Sequence, residues 1–166
     1  MKSFTAILAA VLLPVMMFQL RANLVALTGP LSFPPDLVTL IAALAACHAP
    51  PSVAVLCGAL CGACTDLTSD ARFGMFALRD ASLCLLFLST RRVFDYQSAP
   101  AVFAAAFLFT AVQKLATGLL IAPTELEAWL PIAFGLSLST AILAPLLSPC
   151  AQIAWPTAER PARRCP

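Results

Sequence analysis

Apolar residues run in long blocks along this chain, with only short breaks between Phe4 and Cys150. Read for apolar length, the pattern predicts six helices, near residues 4–27, 36–47, 52–66, 75–90, 99–121 and 129–149. At about 1.5 Å per residue the second and third reach only about 18 and 22 Å, short of the roughly 30 Å hydrocarbon core of a bilayer. His48 and the Pro50-Pro51 pair separate those two runs. They form either two short crossings or one hairpin dipping in from one side, and both arrangements keep the sidedness of everything downstream. Pro14 predicts a kink in the first helix, Pro30, Pro34 and Pro35 a stiff loop, and Pro145 and Pro149 the end of the last helix.

Composition turns these helices into membrane spans. The 166 residues are 61% hydrophobic and 11% charged, with a mean hydropathy of +0.92, against roughly 45–50% apolar and 25% charged in soluble domains. Such a chain has no room for a separate enzymatic domain. Its start, MKSFTAILAAVLLPVMMFQL, reads as the first span rather than a signal peptide, because no A-x-A site follows Leu20. Residues 1–150 are expected to form a single six-helix transmembrane domain, and residues 151–166, AQIAWPTAERPARRCP, a flexible basic tail.

The basic residues set an orientation. With the N-terminus inside, Lys2, Arg91, Arg92, Arg160, Arg163 and Arg164 fall on the cytoplasmic side. Arg21, Arg72 and Arg79 fall outside with Glu125 and Glu127. That bias predicts cytoplasmic termini. A net charge of +2 argues for no nucleic-acid partner, and the arginines of the tail read as a topology anchor.

Residues 57–64, CGALCGAC, place Cys57, Cys61 and Cys64 in the C-x-x-x-C-x-x-C spacing that holds an iron–sulfur cluster in radical enzymes. On a helix, however, positions i, i+4 and i+7 form one stripe, and a line of side chains does not wrap a cluster. The cysteines are expected to act as small hydrophobes, with no metal and no cofactor. Between them, Gly58 and Gly62 form a small-x-x-x-small pair that lets membrane helices approach closely, and the same row continues to Asp66. The other costly charges are Asp36, Asp80 and Lys114. An aspartate or lysine at mid-span costs about 2.5–3.5 kcal/mol on insertion scales, so each is expected to face protein or a partner charge. Lys114 calls for an aspartate from another helix, with Asp66 and Asp80 as candidates. Asp80 also reads as a residue at the favourable dipole end of the fourth helix. His48, beside the proline pair, reads as interfacial, and Tyr96, Trp129 and Trp155 as aromatics at helix ends. No catalytic constellation emerges, so the chain reads as non-enzymatic.

The stretches PPDLVTLIAAL and VLCGALCGACTDLTSDARFGMFAL resemble the MreD family of rod shape-determining membrane proteins. The resemblance rests on Pro35-Asp36-Leu37 opening a helix, on Gly62 and Asp66 closing a glycine-rich helix as G-x-x-x-D, and on Gly74 before the next apolar helix. It implies an all-α polytopic protein of the bacterial inner membrane, with a fold similar to the substrate-binding subunits of energy-coupling-factor transporters. The implied role is a scaffold of the cell-elongation machinery. Its partners would be a single-span MreC-like protein and, through it, an MreB-like filament and the glycan polymerase and transpeptidase of the cell wall. Asp36 and Asp66 would serve as polar anchors in a recess, Gly58, Gly62 and Gly74 would allow close backbone approach, and Lys114 would join them. The alternative reading is the substrate-binding membrane subunit of a vitamin or other small-molecule transporter, for which Ala6 and Ala10 supply an A-x-x-x-A pattern in the first helix.

Overall fold

The computed structural model describes residues 2–28, 35–69, 72–91, 96, 98–121 and 126–155. Six helices follow one another: α1 (Lys2–Thr28), α2 (Leu37–His48), α3 (Pro51–Asp66), α4 (Met75–Thr90), α5 (Ala99–Ile121) and α6 (Leu126–Ala154). The fold is all-helical, and each predicted helix lies within a few residues of its expected bounds. The predicted flexible tail, residues 151–166, starts later than expected, because residues 151–154 continue α6 and Trp155 is buried; its remainder, with Arg160, Arg163 and Arg164, lies outside the described residues, as do Pro30, Pro34, Arg92 and Glu125.

The shortest helix occupies the centre. Every residue of α2 from Leu37 to His48 is buried, and α1, α3, α4, α5 and α6 all pack against it. Around it the closest pairings are the hairpins α3/α4 and α5/α6, whereas α4 meets α5, and α1 meets α6, over much less of their lengths. Local chemistry sets the ends of α2. Asp36 caps its start, its carboxylate accepting the Thr39 N–H at 3.3 Å. At the other end Ala49, which precedes Pro50, is extended (φ −76°, ψ 156°), and Pro51 then opens α3. A residue before proline is driven out of the α region, while proline itself suits a first helical turn. The proline pair therefore makes a sharp joint between two buried helices.

Small residues decide how closely the helices lie. A Cβ on Gly62 would stand 2.2 Å from the Phe76 carbonyl oxygen and 2.5 Å from Ala77 Cα. One on Gly58 would stand 2.5 Å from Cys84 Sγ and 2.9 Å from the Asp80 carbonyl oxygen. Both glycines thus face α4 of the same chain, with the backbones in contact. On α1 the buried row is Ala6, Ala10 and Pro14, one helical face directed into the bundle. The opposite face of α1, with Leu8, Val11, Leu12, Val15 and Met16, is exposed. So is an apolar row on α6 that includes Phe134, Leu138, Ile142 and Leu146. An outer surface of this kind suits lipid.

The prolines of α6 correct one expectation. Pro131, Pro145 and Pro149 all lie inside a continuous helix that runs to Ala154, so Pro145 and Pro149 do not end it. A proline removes one N–H from the ladder, but a membrane helix packed against neighbours tolerates the loss. The helix ends instead at Trp155, which is fully buried and donates its indole N–H to the Ala6 carbonyl at 3.3 Å.

Candidate functional site

The helix ends form two polar clusters, one at each end of α2. The first gathers the start of α2, the turn joining α3 to α4, and the facing turns of α5 and α6. Its members are the charges that the sequence marks as expensive, and their pairings differ from those expected. Lys114 donates to the Asp36 carboxylate, not to Asp66 or Asp80. The reason is tertiary. Asp36 stands at the start of the central helix, where α5 passes within reach, and its own backbone N–H donates to Thr140 of α6 at 2.9 Å.

Asp80 is completely buried on the second turn of α4. It takes no share in a helix dipole end. Arg79 Nε donates to its carboxylate at 2.7 Å, and the Gln113 amide donates to both of its oxygens at 3.2 Å. The same Gln113 accepts from the Thr39 hydroxyl at 2.7 Å. Arg79 also donates to the Thr117 hydroxyl and lies 4.6 Å from the centre of the Phe76 ring, a cation–π distance. One connected set, Lys114, Asp36, Thr39, Gln113, Asp80, Arg79 and Thr117, therefore ties α2, α4 and α5 together, with α6 added through Thr140. Two cations meet two carboxylates, so the set is neutral. Among the described residues, every buried side-chain nitrogen and oxygen has a partner.

Asp66 belongs to the same end of the molecule but serves a separate purpose. Its carboxylate accepts the backbone N–H of Gly74 at 3.1 Å, of Phe76 at 3.1 Å and of Ala77 at 3.2 Å. These are the cap and early positions of α4, whose amides have no partner within their own helix. The last residue of α3 thus caps the first turn of α4 across the connecting turn, and a carboxylate there also complements the positive end of the helix. Gly74 makes the geometry possible by conformation. Its φ is +92°, a left-handed value that suits glycine, and a Cβ there would meet nothing within 4 Å. Its expected role of close backbone approach is replaced by that of a turn residue.

The second cluster lies at the far end of α2. Arg91, just past α4, donates to the carbonyls of Ala46 at 2.6 Å, Ala49 at 2.7 Å and Ala45 at 2.8 Å. A guanidinium there serves carbonyls of the last turn, of which that of Ala45 also accepts the Ala49 N–H at 2.9 Å, and complements the negative end of the helix. From the sequence Arg91 reads only as an orientation charge. Its adjacency to α2 is a long-range contact, and no local signal announces it. His48 is buried and hydrogen-bonded to Ser148 of α6 at 3.0 Å, which corrects its expected interfacial position. Tyr96 is buried with its hydroxyl 2.6 Å from that of Thr90, and burial pushes its phenol above the usual range, against the opposing hydrogen bond. Trp129 bonds the Lys114 carbonyl at 2.9 Å and packs on Gly118. Tyr96, Trp129 and Trp155 thus all bond within the chain.

Cys57 and Cys61 are buried and Cys64 is half-buried. They are free thiols, as are Cys47, Cys84 and Cys150. Among the described residues no group of three or more histidine, cysteine, aspartate or glutamate side chains is placed to hold a metal ion. The arrangement is a scaffold whose polar groups fix helix against helix.

Comparison with known proteins supplies the family. No curated protein and no solved structure gives a significant match. The family model described as rod shape-determining protein MreD matches residues 1–149, which include both clusters and all six helices up to the last turns of α6. The chain belongs to the MreD family of polytopic, non-enzymatic membrane proteins that determine rod shape as part of the cell-elongation machinery.

Proposed function

We propose that this chain docks a single-span, MreC-like protein in the inner membrane and, through it, couples an MreB-like filament to the glycan polymerase and transpeptidase of the sidewall. Both termini are cytoplasmic in this reading, which follows the bias of Lys2, Arg91, Arg92 and the arginines of the tail toward one side. The cluster around Asp36 and Lys114 then faces the outer side, and that around Arg91 the cytoplasm.

One observation carries the reading: the polar groups of both clusters are paired inside the chain, while the outer faces of α1 and α6 are exposed and apolar. Asp36, Asp66 and Lys114 act indirectly, by holding the helices in the arrangement whose outer faces meet the partner, while Gly58 and Gly62 set the α3/α4 spacing and Gly74 the turn between them for the same end. Purification of the tagged chain in mild detergent, with identification of what accompanies it, tests this. A single-span wall-synthesis protein is expected, and depletion of the chain should round the cells. Co-purification of an energising ATPase module instead would select the transporter-subunit alternative.

A further inference from the structure

The turn joining α3 to α4 has an unusual surface. Leu67 and Phe73 are 74% and 76% exposed, more open than all but one of the other large apolar side chains among the described residues. Arg72 between them is exposed as well. A turn that projects into water gains nothing from such side chains.

Length places the turn elsewhere. α3 and α4 have 16 residues each, about 24 Å at 1.5 Å per residue, against a hydrocarbon core of roughly 30 Å. Their other ends are held at the level of Arg91, whose guanidinium is fixed on the end of α2. Measured from there, the α3/α4 hairpin stops short of the opposite surface, while α5 with 23 residues and α6 with 29 reach past it. Backbone chemistry agrees. At acyl depth amides must be satisfied internally, and seven of those flanking this turn are. Leu67 N–H donates to Ala63, Thr68 to Thr65, Ser69 to Asp66 and Met75 to Arg72, while the Asp66 carboxylate takes Gly74, Phe76 and Ala77. An arginine between two apolar residues completes the pattern, since its long stem can lie along the acyl chains with the head at the phosphates.

We infer that the α3–α4 turn is seated in the bilayer at the boundary of acyl chains and headgroups, with Leu67 and Phe73 in contact with lipid and Arg72 on lipid phosphate. The partner of this surface is the membrane itself, independent of any docked protein. Asp66 then does more than cap a helix, because it lets a turn of the chain sit where water cannot satisfy it.

The purified full chain in phosphatidylethanolamine–phosphatidylglycerol vesicles, with no other protein present, gives the test. Phe73→Trp and Leu67→Trp add an indole at exposed positions, so folding is preserved, and their emission is taken as the difference from the parent chain. Leu78→Trp, on the exposed face of α4, provides a lipid-facing reference. The added emission in both turn variants should be blue-shifted, quenched by lipids carrying a nitroxide near the headgroup, and little affected by aqueous iodide. Strong iodide quenching without nitroxide quenching would overturn the inference and leave the patch as a surface for a protein outside the membrane. Arg72→Ala should reduce nitroxide quenching of Phe73→Trp, and an unchanged value would remove the phosphate contact from the proposal.

Discussion

Asp66 and the glycines around it show how single atoms set the shape of this molecule. Leucine at position 66 would leave the Phe76 amide, and those of Gly74 and Ala77, without an acceptor. A buried donor left unpaired costs about 1–3 kcal/mol, so Asp66→Leu should destabilise the protein by about 2–4 kcal/mol. Asp66→Asn keeps one carbonyl oxygen toward these amides and should fall between wild type and leucine in thermal denaturation in detergent. The glycines separate by mechanism. Gly62→Ala meets only backbone, at 2.2–2.5 Å, and must push α3 and α4 apart. Gly58→Ala meets first a thiol that can move and then the Asp80 carbonyl oxygen at 2.9 Å, a milder backbone contact than that at Gly62, so it should cost less, within the roughly 1–3 kcal/mol of ordinary overpacking. Gly74→Ala clashes with nothing and should cost only the left-handed backbone conformation, roughly 1–2 kcal/mol. An order of melting temperatures other than Gly62→Ala lowest among the three would contradict this packing.

At the scale of elements, the central feature is a 12-residue helix buried on every side and capped at both ends, once by its own Asp36 and once by Arg91 from α4. Arg91→Lys is therefore not conservative, because an ammonium cannot reproduce the fork that reaches three carbonyls. Both Arg91→Lys and Arg91→Ala should speed amide exchange in the last turn of α2, with lysine the milder, while the first turn at Asp36 stays protected. Much of this level was readable in advance. Apolar run length marks all six helices, since a block must be long to form a span, and the glycine row leading to Asp66 marks a close-packing face of α3, because close approach demands small residues at helical spacing, without naming α4 as the helix that meets it. What escaped depends on which helices are neighbours. The bond of Arg91 to α2, that of His48 to Ser148 and the anchoring of Trp155 on Ala6 join residues 42 to 149 positions apart, and nothing local distinguishes them from interfacial residues. The prolines of α6 misled for a related reason, because their usual helix-breaking effect is outweighed by packing.

Across the whole molecule, two hairpins, α3/α4 and α5/α6, share few contacts with each other. What joins them is α2, the Phe87–Phe109 ring pair at 5.1 Å, and the polar set centred on Gln113. The charges in that set were identifiable as costly from the sequence, but their pairing was not, because the sequence offers Asp66 and Asp80 to Lys114 and only the packing of α5 beside the start of α2 selects Asp36. Such a set has a recognisable mutational signature. Removing one member of a buried ion pair is strongly destabilising, about 3–5 kcal/mol, because it strands the other, whereas removing both together can be nearly neutral. Lys114→Met should therefore lower the melting temperature sharply. Asp36→Asn in the same chain should recover much of the loss, since asparagine is uncharged and still an effective N-cap for α2. Lys114→Met with Asp80→Asn should show no such recovery, because Asp80 is already served by Arg79 and Gln113. Thermal unfolding of the single and paired variants measures the coupling directly. Recovery with Asp80→Asn and not with Asp36→Asn would mean that the α5/α6 hairpin sits against α4 in a different register from the one described. If the outer faces of these helices are what the elongation machinery grips, rod shape should follow the same ranking, with the Lys114→Met cells rounded and the Asp36→Asn, Lys114→Met cells closer to rods.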